Sequence, residues 1–469
     1  MITSLEYRRR SPAAIAFALV ICASFVVATP AFAEPTVSGS VWQQARLRIL
    51  ESKRPDDASD ASDFTLMMTG IDLVGRAAND DGTGRLFVNA DLRFDPTSIE
   101  FDNGLESRLR EAYGGWYTPH FSMEIGKKIF AWGKADEFNP TDLINPEDYR
   151  WFITFDKPQR KIGVPMASAT LSYDAWSLQG VAIPIFTPAL LPDPASDWLP
   201  WQLALQYDIA AAMPDLVTLQ RGNFPEPKAD NVQGAARLAG SVGRFDLEAV
   251  AFDGFDPLPT YDVRLSIDPE LYLAGESVLV MREEFQRYQA YGGSAAFTID
   301  KFAFRTEAAY STPRWWMHEL DPALADPSDL PPMNVVAPII LDAEWRSRKP
   351  SWSGAAGVDW RSGTELYINL QYTHTQILDH DDALLDPKNE GMLTLKVQTR
   401  WRDDDLEISA DGAYNVWHND RMMKPYVRYK FTADFSGEVG AQLFAGEHDT
   451  RFGEFDHNDY GYTTFRYTF

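Results

Sequence analysis

Short segments in which apolar and polar positions alternate run through most of the chain. Residues 85–94 show the pattern best. Leu86, Val88, Ala90, Leu92 and Phe94 share one face, and Asn89, Asp91 and Arg93 the other. Residues 406–416 repeat it, with Leu406, Ile408, Ala410, Gly412, Tyr414 and Val416 set against Glu407, Ser409, Asp411 and Asn415. A period of two is the mark of a strand, whose successive side chains point to opposite sides. Read this way, the chain holds 18 strands, near 36–50, 64–77, 85–95, 105–117, 121–130, 164–174, 176–186, 231–241, 244–254, 285–299, 301–311, 352–361, 364–377, 390–402, 405–417, 422–432, 435–446 and 458–469. Tight turns are expected at Asp174-Ala175, Val242-Gly243, Asp300, Ser362-Gly363, Asp403-Asp404 and Ala433-Asp434. Most gaps between them are long: 131–163, 187–230, 255–284 and 312–351. Residues 202–213, within one of these, read as a short helix.

Soluble sandwiches alternate too, so the connections discriminate. Tight turns at one end and long loops at the other are the layout of a transmembrane barrel. Residues 34–469 contain no run of 18 apolar residues, the length a membrane helix needs. A chain without such helices crosses a bilayer only as a closed barrel, which pairs every backbone group. The expected fold is all-β, an antiparallel up-and-down barrel of about 18 strands, with 16 as the alternative. Residues 1–33 read as a signal peptide: Arg8, Arg9 and Arg10, an apolar stretch, then Ala31-Phe32-Ala33 as a cleavage box. That leaves residues 34–469 as the barrel. At the other end Phe465, Tyr467 and Phe469 alternate along the last strand. This ending resembles the signal read by the outer-membrane barrel-assembly machinery.

Without the leader the chain has no cysteine, hence neither disulfide nor thiolate metal site. It carries 40 basic and 67 acidic residues, a net charge of −27, which argues against nucleic acid as a partner. An acidic surface suits loops beside lipopolysaccharide phosphates bridged by divalent cations. Charges on the lipid face are costly, so those within strands should face a wet lumen. The candidates are Asp91, Arg93, Arg237, Arg305, Glu307, Glu365, Lys396, Arg400, Glu407, Asp411, Arg428 and Arg466. They serve either to order a polar solute or to pair across strands and stiffen the wall. The seven histidines show no zinc spacing, and no nucleophile elbow is present, so no enzyme is expected. No cofactor is expected either. Ca²⁺ is a weak candidate at Asp56, Asp57, Asp60 and Asp63, and at Asp379, Asp381, Asp382 and Asp386; solvated acidic loops are the plainer reading.

The stretch 131–163 is the most distinctive. It contains W-G-K-x-D-x-F-N-P-x-D from Trp132 to Asp142, then a second Asn-Pro pair at Asn145-Pro146. Asn-Pro starts turns, and Gly133 permits a tight bend. This run resembles a motif of uncharacterised proteobacterial outer-membrane barrels. Residues 231–238 and 252–256 are similar to the same family. The architecture also resembles alginate-export type barrels and general porins. The resemblance implies an outer-membrane location and transport. It supplies no catalytic residue and no substrate. Some such barrels work with lipid or hydrophobic-compound export systems, which would bring a periplasmic partner.

In general porins the third long loop folds inward and narrows the pore. The same placement here would make Lys134, Asp136, Glu137, Asp142, Glu147, Asp148 and Arg150 a constriction. The expected function is a porin-like channel for small polar or charged solutes. The alternatives are a component of an export system, and a structural or adhesive barrel with a plugged lumen.

Overall fold

The computed structural model describes residues 35–49, 64–154, 156–212, 217–266, 278–319, 345–363 and 365–469. The expected signal peptide, and Asp56, Asp57, Asp60 and Asp63, lie outside these residues. In chain order the strands are β1 (Thr36–Arg48), β2 (Phe64–Ala78), β3 (Gly84–Phe94), β4 (Leu105–Tyr117), β5 (Phe121–Lys128), β6 (Val164–Tyr173), β7 (Trp176–Ile183), β8 (Val217–Gln220), β9 (Gln233–Val242), β10 (Phe245–Phe255), β11 (Thr260–Ser266) and β12 (Val278–Glu284). There follow β13 (Arg287–Ile299), β14 (Phe302–Met317), β15 (Arg346–Ser362), β16 (Leu366–Ile377), β17 (Asn389–Trp401), β18 (Leu406–Asn415), β19 (Asp420–Lys430), β20 (Phe435–Ala445) and β21 (Tyr460–Thr468). Eighteen form one antiparallel ring; β8, β11 and β12 form a separate three-stranded sheet in the long loops. The ring closes because β1 pairs with both β2 and β21, Val41 standing opposite Ile71 and Tyr467.

Each expected strand is present within a few residues of its expected ends, except that β14 and β15 reach further. They stay paired beyond a register shift at Ser311/Arg314, where Arg314 faces Lys349 and Met317 faces Arg346. Arginine on tryptophan sustains this extension: the Arg346 guanidinium lies 4.5 Å from the Trp315 ring. The tight turns fall where expected, and Asp174, Asp300, Gly243 and Gly363 all adopt left-handed φ. The expected helix is Trp201–Ala212.

Alternation sorts the faces as the pattern predicts. Val88, Leu92 and Phe94 are exposed on the outer wall, while Asp91 and Arg93 are buried inside. Exposed Leu393, Leu395, Ile408, Tyr414, Val427 and Val439 continue the outer band. A wall that is apolar outside, polar inside and without an edge is the form a barrel takes in hydrocarbon. Of the aromatic residues near strand ends, Trp116, Trp176, Tyr310, Trp401 and Trp417 are exposed as an interfacial girdle requires. Tyr117 departs from that set: its hydroxyl donates to Glu124 at 2.6 Å on the inner face.

Substituting Leu395 on the outer face of β17 with Arg should cost about 2–4 kcal/mol of folding stability in vesicles. Thr394→Arg, one residue away on the inner face, should cost much less. Equal costs in a urea refolding titration would contradict this assignment of faces.

Candidate functional site

Residues 129–163 leave β5, cross the lumen and return to β6. Their neck is tied by Asn145. Its Nδ2 donates to the carbonyls of Lys128 (3.2 Å) and Ile162 (2.8 Å), and its Oδ1 accepts from Phe130 N (2.6 Å). Asn139, in the first Asn-Pro pair, accepts from Thr141 N at 3.1 Å and donates to Trp132 O at 3.0 Å. The Asn139–Thr141 contact is a local side-chain turn of the kind asparagine favours; those of Asn145 instead join segments distant in sequence.

The W-G-K-x-D-x-F-N-P-x-D run proves to be a docking strip against the inner wall. Trp132 donates from Nε1 to Gln179 on β7 (3.2 Å). Gly133 N donates to Glu248 on β10 (2.9 Å), Lys134 N to Glu307 on β14 (3.0 Å), and Asp136 N to Gln371 on β16 (2.9 Å). The Asp136 carboxylate accepts from Arg305 (3.2 Å) and Asn369 (2.9 Å). Phe138 O accepts from Gln371 and Thr373, and Thr141 donates to Glu307 at 2.8 Å. Gly133 adopts φ +85°, and a Cβ there would lie 2.5 Å from Glu307 Oε2. Apolar packing accompanies the strip, with Phe130, Trp132 and Ile144 buried against Val164, Val181, Val250 and Phe252.

The second half of the loop reaches the opposite wall. Phe152, held at φ +50°, packs its ring 4.5 Å from Phe455 and near Phe444 and Phe452. Arg46 of β1 donates to Thr154 Oγ1 at 3.0 Å. Lys424 of β19 meets Asp156 at 3.2 Å. Below the tip Asp148 joins Arg150 (2.7 Å) and Arg108 (3.0 Å), Arg108 joins Asp91 (2.5 Å), and Arg150 joins Glu106 (2.8 Å). Burial pushes the Asp148 carboxyl up, but the Arg150 and Arg108 guanidiniums outweigh it and hold it at about 2.

The expected constriction charges therefore divide. Asp142 pairs with Lys157 and Lys161, Glu147 with Arg160, and Asp148 with Arg150, all inside the folded loop. These four acidic and basic positions hold the loop in shape rather than line an opening. Lys134 docks through its backbone, since its carbonyl also accepts from Arg305. Asp136 and Glu137 remain 48% and 32% exposed; Glu137 also meets Arg160. Asp156, which sequence reading passed over, is 71% exposed on the same loop.

Of the expected lumen charges, Arg237 pairs with Glu248, Arg305 with Asp359, Lys396 with Asp411, Arg400 and Arg428 with Glu407, and Arg466 with Asp72. Glu307 is buried beneath the loop. Glu365 is a correction: it lies exposed in the turn before β16, not within the wall. In the ladder Arg400–Glu407–Arg428 the guanidinium groups are 47% and 42% exposed and the carboxylate 10%, so the lumen meets the cations. Asp379, Asp381, Asp382 and Asp386 do not converge: among the described residues no three His, Cys, Asp or Glu side chains are placed to hold a metal. Phe465, Tyr467 and Phe469 stand exposed on the outer face at the end of the chain.

Asp148→Asn should destabilise the protein by about 3–5 kcal/mol, because it leaves buried arginine unpaired. With its carboxyl held below the unfolded value, Asp148 contributes stability above pH 4 and loses it as pH falls through about 2. Thermal unfolding of the wild type should accordingly show no step from this latch between pH 4 and 8, and a loss in stronger acid.

No protein-family profile matches the chain, and no curated protein matches it. Solved structures with a similar course include Salmonella typhi OmpF in complex with daunomycin (9% identity, TM-score 0.42), covering 93% of this chain and 97% of that one. OccK11 (OpdR) of Pseudomonas aeruginosa is similar at 9% identity and TM-score 0.48, with 92% and 95% covered. The outer-membrane channel DcaP of Acinetobacter baumannii is similar at 9% identity and TM-score 0.41, with 93% and 97% covered.

Proposed function

We propose that this chain is a channel of the Gram-negative outer membrane that passes small polar or charged solutes, with residues 129–163 as its constriction. The observation that carries this reading is the loop itself. It is pinned to both walls, and it leaves the side chains of Asp136, Glu137 and Asp156 at least partly exposed. Exposed Lys396, Arg400 and Arg428 stand on the wall strands β17 and β19. Fixed charges of both signs within a Debye length of one another create a transverse field that orders water and favours polar solutes over apolar ones. The strand ladder is continuous from β7 to β9 and across the β1–β21 seam, which gives no support to export through a lateral opening there. On this reading residues 1–33 direct export, Phe465, Tyr467 and Phe469 are recognised by the assembly machinery, and the outer apolar band contacts lipid and lipopolysaccharide.

Asp136→Asn combined with Glu137→Gln should lower the cation-over-anion permeability ratio in planar bilayers about twofold at 0.1 M salt. The shift should shrink at 1 M, where screening acts within about 3 Å. Unchanged reversal potentials at low salt would remove the loop from the selectivity mechanism.

A further inference from the structure

The outer wall carries large side chains in most sectors, Val88, Leu92, Leu395 and Val439 among them. Between β5 and β13 it does not. One cross-strand row there runs Met123, Ala169, Gly180, Ala236, Ala251, Tyr291, each residue opposite the next. The four inner members are Ala or Gly, and Ala182 and Gly234 continue them in the row nearer the long loops. In the row on the other side Leu171, Leu178 and Leu238 are again large and exposed. The result is a trough of about 610 Å³ in the lipid-facing wall, with Met123 at one end and Tyr291 at the other. Tyr291 stands 49% exposed at its edge.

Beside Tyr291 lies a pair of opposite charges on the same outer face. Asp253 follows Ala251 on that face of β10. Its Oδ1 accepts from Arg287 Nε at 2.5 Å and its Oδ2 from Gln289 Nε2 at 3.2 Å. Tyr291 donates to Gln289 Oε1 at 2.9 Å. The Arg287 and Asp253 side chains are 36% and 43% exposed. Arg287 Nη1 and Nη2 also donate to the carbonyls of Asp230 (2.8 Å) and Val232 (3.0 Å), so every guanidinium nitrogen already has an acceptor. This rim is built as a neutral pair rather than as a cation held open for a lipid phosphate.

The patch thus sets a hole beside a knob and a negative charge beside a positive one. Such a surface is complementary to its own copy after a half rotation. We propose that a second copy of this chain docks here, the two barrels standing side by side about a two-fold axis along the membrane normal. A contact of that symmetry uses the same patch on both subunits. Each Tyr291 enters the other copy's trough, and each Arg287 faces the other copy's Asp253. Small side chains let two walls approach closely. Lipid tails are as apolar as the protein, so in hydrocarbon it is close packing that drives association. The contact also withdraws the Asp253–Arg287 pair from lipid. The inference concerns the outer wall alone and does not rest on the channel reading.

The test follows the mass of the purified full chain by sedimentation in density-matched detergent, over a dilution series, with and without added lipid A. The wild type should run as two chains and dissociate to one on dilution. Ala236→Leu with Ala251→Leu fills the trough with residues at home in lipid and should raise the dissociation constant about tenfold. Asp253→Lys sets like charges against each other and should act in the same direction. Adding Arg287→Glu to it restores the pairing and should recover the two-chain species. Leu395→Ala, on β17 outside the patch, should leave the dissociation constant unchanged. Circular dichroism of each variant checks that the barrel is folded. A single chain at every concentration, or a two-chain species indifferent to both sets of substitutions, overturns the proposal. So does a single wild-type chain that retains lipid A and loses it when the trough is filled, since a lipid would then be the occupant.

Discussion

Peptide groups in hydrocarbon must find partners within the chain, and everything else in this molecule follows from meeting that condition. The sheet has to close, so β1 and β21 must meet. Once it is closed, each strand shows one face to lipid and the other to an enclosed space. Charges excluded from the outer face gather inside, where Asp91, Arg93, Glu248, Glu307 and Glu407 are buried. Buried charge must in turn be paired. The luminal loop meets part of that need: its backbone N–H groups at Gly133 and Lys134 donate to Glu248 and Glu307. Closure, polar lining and inward loop are thus one chain of consequence.

The loop is held in two ways that suit its two halves. The first half reads the wall with backbone donors, which impose a position but leave the Asp136 side chain to the lumen. The second half is anchored by aromatic packing and a buried charge cluster. Phe152, Phe444, Phe452, Phe455 and Trp198 belong to one apolar core that lies inside the barrel beneath the loops. Such a core is unusual for a wet lumen. It draws on Met392, Ala413 and Tyr426 of β17–β19 as well, while Arg305, Lys396 and Arg400 retain exposed surface.

What could be read from sequence was what repeats locally. Period-two alternation located the strands, because each records its two environments residue by residue. Turns were legible at Asp174, Asp300 and Gly363, since a left-handed φ restricts the residue type. The Asn-Pro pairs and Gly133 marked the loop for the same reason. Pairings were not legible. Asp148 sits one and two residues from the candidates Glu147 and Arg150, yet its burial depends on Arg108, 40 positions earlier, with which it pairs. Asp156 has an equally remote partner, Lys424, yet its side chain stays exposed. Nothing local separates the two aspartates. The loop sheet of β8, β11 and β12 escaped notice because its pairing joins β8 in parallel to β12 across about 60 residues.

The seam between first and last strands also bears on how the molecule is made. Gln44 donates to Thr464 at 3.0 Å across 420 positions of sequence. Until the final strand has been synthesised, two raw edges face whatever surrounds the ribbon, and hydrocarbon tolerates neither. A polypeptide broken off early therefore has no stable way to enter a bilayer. Completeness of the chain is checked by the geometry of the cylinder, before any protease or chaperone needs to inspect it.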